Sequence, residues 1–457
     1  MTSEEKKLLE LEIIKQMRST SDDVTLIYYG PKEVNGQIGN GNGNAMVFSV
    51  KKKKPLEELS ESEIIPKSIQ VGEMNIKTDV IEGTVQRGVT YTNGGSCSTY
   101  ADWITTPPIN RQEFRPLKCG ISLTNYTNNS GSTGTGGLIC VDDDTNSLCM
   151  LSNNHVLIND AFITSNRSAS LNIDTNVSGS VCTQPNESGV SSLTYRVGVV
   201  KKYWPIGDAY YSGSGTISEY DGVNQIDAAI VAIDPPSVTA NLVFTGSWEQ
   251  VGLTGSVISS APQFATTAEI DYIIANSASA NVYMTGRTTG AKGQGTIKLK
   301  IQSGSGLSLL AYDRQGGSVA CWMFPCIIYR APGGSDLTPG TYCFWPSWRG
   351  DSGASVLAEI SGSLKIVGLN FAGSYITISG SQYGINGIAC RMDLVAEKLN
   401  LSAWNGTTFN YTDTTTSSYV IVDGTSNLAK SASIQIGGST YWQLGAVTGS
   451  TFPPNYP

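Results

Sequence analysis

Histidine is almost absent from this chain: its 457 residues contain one, His155. Any chemistry here that passes a proton through an imidazole near neutral pH must use that residue. Charge is sparse as well. Asp, Glu, Lys and Arg make up 15% of the sequence and the net charge is −8, so no basic excess points to nucleic acid or an anionic membrane as a partner. No apolar run approaches the roughly 20 residues that cross a bilayer. The opening stretch MTSEEKKLLELEIIKQM is charged and helical in pattern, unlike an export leader. A cytoplasmic or virion-associated location is therefore expected. The nine cysteines are odd in number and scattered, and without export they are expected as reduced thiols. Cys321 and Cys326 have a spacing that suits a metal, but one histidine and no second close pair argue against zinc. No metal and no cofactor is expected.

What is abundant points to β structure. Glycine contributes 50 residues, and Ser, Thr and Asn are frequent. The length suggests two to three domains at about 100–200 residues each. The first 18 residues read as an amphipathic helix, with Thr2 and Glu5 as a capping box and Leu8, Leu11 and Met17 within an apolar stripe. VTLIYYG (24–30) and AMVFSV (45–50) read as strands. The lysines of KKKKP (51–55) read as a solvated strand end, because Glu57, Glu58, Glu61 and Glu63 follow. IIPKSIQ and IKTDVIEG complete a small α+β domain over 1–92. From 93 to 400, short strands such as GGLICV, RVGVVKKY, DAAIVAI, GTIKLKIQ, SGASVLAEI and LKIVGLNFA alternate with Gly, Asn and Ser turns, the pattern of a sandwich or barrel. A helix-period segment, RMDLVAEKLN, closes that domain. Residues 401–457 are Ser/Thr-rich, hold SYVIVDG and SASIQIGG, and end in FPPNYP. They read as a β-rich extension, a hairpin or a docking segment for an assembly partner.

Chemistry concentrates at RGDSGA (349–354). A serine on a tight Gly-flanked turn exposes its hydroxyl and gathers backbone N–H groups, and the amides of Gly350 and Ser352 are the donors an oxyanion hole requires. Gly353 lets the chain turn without a clashing Cβ. Serine needs a base, and His155, in LSNNHVL after the strand-like LCML, is the one imidazole on offer. A buried carboxylate should fix its tautomer. Asp227, leading into an apolar strand in NQIDAAIVAID, is the best candidate, with Asp208 and Asp160 as rivals. Asp351 adjoins the serine and could not also reach the far side of His155. The order His–Asp–Ser on an all-β pattern is the order found in chymotrypsin-like barrels.

LSNNHVL, IDAAIVAI and RGDSGA followed by IVGLNFAGS together resemble the trypsin-like, chymotrypsin-fold serine proteases, particularly their bacterial and viral branch. GTGGLICV resembles the first-barrel strands, TGRTTGAKGQGTI a strand pair of the second barrel, and AMVFSVKKKKP with IIP and TDVIE an N-terminal domain of a bacterial subgroup. The resemblance covers roughly 24–400. It implies a mainly β fold: a double six-stranded antiparallel β-barrel with a small N-terminal α+β domain and a C-terminal β-rich extension. It further implies a peptide-cleaving enzyme with His155 as base, Asp227 as its orienter, Ser352 as nucleophile and the Gly350 and Ser352 amides as oxyanion hole. Substrate backbone would pair along Phe371, Ala372 and Gly373. Ala354 stands where many relatives carry glycine. Pro346 stands where a pocket-floor acid would read Arg or Lys. The stretches flanking Asp227 are long, and no Ile-Val-Gly-Gly-like activation motif is present. The alternatives are a structural or scaffold protein, of a phage particle for example, that keeps the protease fold for binding, and an esterase using the same triad.

Overall fold

Segments rich in alternating or continuous β-branched and aromatic residues become strands throughout, so the chain is mainly β. The computed structural model describes residues 2–19, 23–34, 43–86, 109–125, 133–158, 181–185, 195–204, 224–233, 247–253, 257–275, 280–293, 299–314, 317–330, 346–378, 381–406, 428–436 and 439–446, with short pieces between.

Two cycles of antiparallel pairing organise the molecule. In the first, Thr133–Gly136 and Leu138–Asp142 part only at Gly137 and act as one bent strand. Pairing runs from that strand to Ser147–Ser152, Ala229–Ile233, Arg196–Tyr203, Val181–Thr183 and Ile121–Asn125, and so back to Thr133–Gly136. Leu401–Ala403 adds at Leu138–Asp142. In the second, Asn281–Gly286, Ser355–Ile360, Ser363–Ile378, Ser381–Arg391, Gly317–Arg330 and Leu299–Arg314 pair in turn, and the last returns to Asn281–Gly286.

The N-terminal strands are hydrogen-bonded into the second sheet. Val24–Pro31 pairs with Leu299–Arg314 on one side and Asn44–Val50 on the other, and Asn44–Val50 runs parallel to Met74–Glu82. These strands are apolar on both faces because both are covered. Leu26, Tyr28 and Val47 join the main core, while Val24, Ile27, Met46 and Phe48 pack with the helix Ser3–Ser19. The capping box forms, with the Thr2 amide donating to Glu5 Oε2 (2.6 Å) and the Glu5 amide to Thr2 Oγ1 (3.1 Å). The buried stripe differs from the expected one: Leu9, Ile13 and Ile14 face the sheet, and Leu8 is 40% exposed. The side chain of Met17 lies outside the described residues. Lys51–Lys54 are exposed, and Lys54 bridges Asp23 (3.5 Å) and Glu63 (2.7 Å). The hydrogen bond from Lys54 lowers the Glu63 carboxyl to about 2.

Two buried ion networks brace the molecule, one within the first cycle and one between the second cycle and its helices. Asp142 accepts from Lys201 (2.8 Å), Lys202 and Thr145; burial pushes its carboxyl up, but the lysine hydrogen bonds outweigh that and hold it below its ordinary value. Arg391 grips Asp393 through two hydrogen bonds (2.6 and 3.1 Å) at the start of the helix Met392–Leu399 and reaches Asp271 on the helix Thr267–Ala275. Of the tail, Leu428–Ile436 and Ser439–Ala446 form a hairpin, while SYVIVDG and FPPNYP lie outside the described residues, as do Cys97 and Cys343. Among the described residues no helix is long and apolar enough to cross a membrane, and no group of three or more His, Cys, Asp or Glu is placed to hold a metal ion.

Candidate active site

Strand register brings His155 to Asp227. Ser147–Ser152 and Ala229–Ile233 are antiparallel neighbours with Ser152 opposite Ala229, so the chain leaves one strand where it enters the other. Just past Ser152, Asn153 accepts the amides of Val156 and Leu157 and starts the short helix Asn154–Leu157. Asn153 Nδ2 donates to the Asp227 carbonyl (2.6 Å) and Asn154 Nδ2 to that of Trp204 (2.6 Å). The Asp227 carboxylate then makes a two-point contact with one residue. Its Oδ1 accepts the His155 backbone N–H (3.2 Å), and its Oδ2 lies 2.5 Å from His155 Nδ1. Asp227 is fully buried and His155 is 8% exposed. A carboxylate at Nδ1 requires the proton there, which makes Nε2 the nitrogen that carries the lone pair. From the second cycle, Cys390 Sγ accepts the Asp227 amide (3.1 Å).

Ser352 comes from the second cycle, on the turn before Ser355–Ile360. Gly350 and Gly353 take φ of +97° and +92°, a region that favours glycine. Asp351 points away from the histidine: its carboxylate accepts the amides of Thr288 (2.9 Å), Thr289 (3.1 Å) and Trp348 (2.9 Å) and the Thr289 hydroxyl (2.7 Å). It anchors the turn. Thr135 lays the turn against the first cycle, its amide donating to the Ser352 carbonyl (2.7 Å) and its hydroxyl to that of Gly350 (2.8 Å). Next to it, a Cβ on Gly134 would lie 2.5 Å from Val156 Cγ2 and 2.7 Å from the Ser352 carbonyl. The residue after the histidine and the serine backbone thus close on one glycine from two sides.

Within the turn, the amides of Asp351, Gly353 and Ala354 donate to Trp348, Asn370 and Asp351. Those of Gly350 and Ser352 have no acceptor among the described residues, and neither does the Ser352 hydroxyl. Two candidate oxyanion donors and the candidate nucleophile are therefore uncommitted. The Ser352–His155 hydrogen bond is not made; such contacts often tighten only with substrate. Phe371, Ala372 and Gly373 follow Asn370, whose amide donates to the Ala354 carbonyl (2.8 Å), so this stretch continues directly from the serine turn. Pro346 is buried. The rival carboxylates Asp160 and Asp208 lie outside the described residues. Thiol chemistry has no support nearby, since burial pushes Cys119 and Cys149 up to about 12 and Cys390 well above its ordinary value.

Sequence reasoning missed three supporting residues. Thr135 holds both carbonyls of the serine turn. Ser152 Oγ donates to the Thr135 carbonyl (2.7 Å). Asn370 takes the Tyr329 hydroxyl at Oδ1 (2.8 Å) and donates to Ser347 (2.8 Å) and the Asp351 carbonyl (3.1 Å). For the first, the glycines around Thr135 in GTGG were the available signal, because closely spaced glycines mark a close backbone approach.

No protein-family model matches the chain, and no curated protein matches it. Among solved structures, it is similar to a glutamic-acid-specific serine protease described as using a histidine triad in substrate binding. Identity is 14% and the TM-score 0.32, over 63% of this chain and 100% of that one.

Proposed function

We propose that this protein is a serine endopeptidase of chymotrypsin-like fold, a double six-stranded β-barrel, with catalytic residues His155, Asp227 and Ser352. One observation carries the reading: the chain's single histidine is held at two points by a fully buried carboxylate. The two pairing cycles support the fold, since one supplies the base and its orienter and the other the serine turn.

In the proposed reaction the peptide carbonyl sits with its oxygen at the Gly350 and Ser352 amides. Ser352 Oγ attacks the carbonyl carbon as His155 Nε2 takes the hydroxyl proton. Asp227 stabilises the imidazolium so formed without itself taking the proton. Collapse of the tetrahedral intermediate breaks the C–N bond, His155 protonates the leaving amine, and an ester to Ser352 remains. Water, deprotonated by His155, then hydrolyses that ester. The two amides contribute on the order of 3 kcal/mol each to stabilising the oxyanion. The substrate is a protein or peptide lying along Phe371–Gly373. Residues 1–92 form a docking, chaperone or inhibitory domain, 93–400 the protease domain, and 401–457 an extension suited to an assembly partner.

The test is covalent labelling by a fluorophosphonate probe, with cleavage of a casein or peptide library. Wild type should label, and Ser352→Ala and His155→Ala should not. Labelling that survives Ser352→Ala removes the nucleophile assignment. A folded wild type that neither labels nor cleaves marks a scaffold that keeps the fold for binding.

A further inference from the structure

The strand meant to receive substrate already has a partner from the chain's own N-terminal region. Along one edge of Ser363–Ile378, Ser355–Ile360 pairs as far as Leu369, and the serine turn continues that edge through Asn370, whose carbonyl accepts the Gly353 amide and whose amide donates to Ala354. Along the other edge runs Ser381–Arg391. A short third strand, Thr84–Gln86, also pairs antiparallel with Ser363–Ile378, placing Gln86 opposite Gly373, Val85 opposite Ser374 and Thr84 opposite Tyr375. Since Ser381–Arg391 already pairs with Gly373 and Ser374, Thr84–Gln86 must occupy the serine-turn edge. Antiparallel strand addition is how an extended peptide would bind there. The direction fits too, because from Thr84 to Gln86 the chain runs from Tyr375 toward Gly373 and the serine turn.

The strand is firmly held. Gly83, just before it, donates its amide to the Val50 carbonyl (2.8 Å). The Gly83 carbonyl accepts the hydroxyls of Thr25 (2.9 Å) and Ser49 (3.1 Å). Val85 is 8% exposed and packs in the core that contains Leu26, Tyr28, Val47 and Ile81. The N-terminal sheet thus presents Thr84–Gln86 to this edge as a fixed ligand.

We propose that Thr84–Gln86 is a resident occupant of the substrate edge, so that the intact chain excludes peptides extended on the acyl side while Ser352 stays reactive. The inference rests on the protease reading above. Register sets where exclusion begins. A peptide whose last acyl residue lies at Phe371 places its residue two positions earlier at Gly373, where Gln86 sits. The third acyl-side residue is the first to be shut out.

The experiment uses the full-length chain and peptide esters with one to four residues on the acyl side, beside fluorophosphonate labelling of Ser352. Wild type should label, and its kcat/KM should stop rising at the second residue. Neighbouring residues of an antiparallel strand alternate between exchanging ladder hydrogen bonds with the partner and not. One of Gln86→Pro and Val85→Pro must therefore delete a bond to Ser363–Ile378. That variant should label as wild type does and gain about tenfold or more in kcat/KM from the third residue, as the competent fraction rises. Labelling reports whether each variant keeps a folded site. A wild type that gains about tenfold from the third residue overturns the occupancy, whatever the variants do. So does the absence of a gain in both variants while they label. A wild type that does not label overturns the protease reading itself, and the inference with it.

Discussion

Replacing Asp227 by Asn tests the core of the site, because the structure fixes which way the new amide must face. Asp227 Oδ1 accepts the His155 backbone N–H at 3.2 Å, and Oδ2 meets Nδ1 at 2.5 Å. An asparagine there must keep its oxygen toward the backbone donor, which turns its NH2 onto Nδ1. Nδ1 then becomes an acceptor, the proton moves to Nε2, and the imidazole can no longer receive the Ser352 proton. The opposite orientation sets NH2 against N–H and leaves a buried donor unsatisfied, at about 1–3 kcal/mol. The productive tautomer is then reduced about 5- to 160-fold. Loss of the negative charge facing the imidazolium adds to that, toward the roughly 10⁴-fold typical of this change in a triad. The assay is the second-order rate of Ser352 modification by a fluorophosphonate, which needs no known substrate. Thermal melting should show a folded protein. A rate within about threefold of wild type would refute the tautomer argument.

Two further outcomes follow from the same contacts. Gly353→Ala should destabilise the protein by about 3 kcal/mol or more and abolish labelling, read by denaturant unfolding beside the probe; φ is +92° there, and a Cβ would meet the Thr135 carbonyl and Ser152 Oγ. Stability should also fall in acid, because Asp142 and Asp393 are held below their ordinary carboxylate values: their contribution is complete above about pH 4 and is lost as pH drops through their lowered folded values. Melting temperatures from pH 7 to 3 check this, and Asp142→Asn should flatten the decline; a variant as acid-sensitive as wild type would rule the network out as the cause.

Much of the fold was legible because its signals are local. RVGVVKKY is the strand Arg196–Tyr203, and RMDLVAEKLN contains the helix Met392–Leu399. Thr2 and Glu5 form the capping box their spacing suggested. Extents were less legible. The LKIQ of GTIKLKIQ and the whole of LKIVGLNFA are parts of 16-residue strands, since strand ends are set by the length of the partner and not by composition. Spacing places Leu8, Leu11 and Met17 within the helix stripe, whereas tertiary packing buries Leu9, Ile13 and Ile14 and leaves Leu8 exposed. In an N-terminal helix with apolar residues around much of its surface, only the neighbouring sheet decides which face is buried.

The candidate site divides in the same way. Residue order alone specifies the chemical inventory: one imidazole, a serine between glycines, and an aspartate at the head of an apolar run. Residue types and local turn chemistry suffice for that. The meeting of His155 with Asp227 depends on Ser152 lying opposite Ala229. The attachment of the serine turn depends on Thr135 and on the missing side chain of Gly134. The pairing of Thr84–Gln86 with Gly373–Tyr375 joins segments far apart in the chain. Each of these turns on a distant backbone group, and a backbone amide or carbonyl is the same in every residue. No local pattern encodes its partner, so these contacts come into being only when the whole chain is folded.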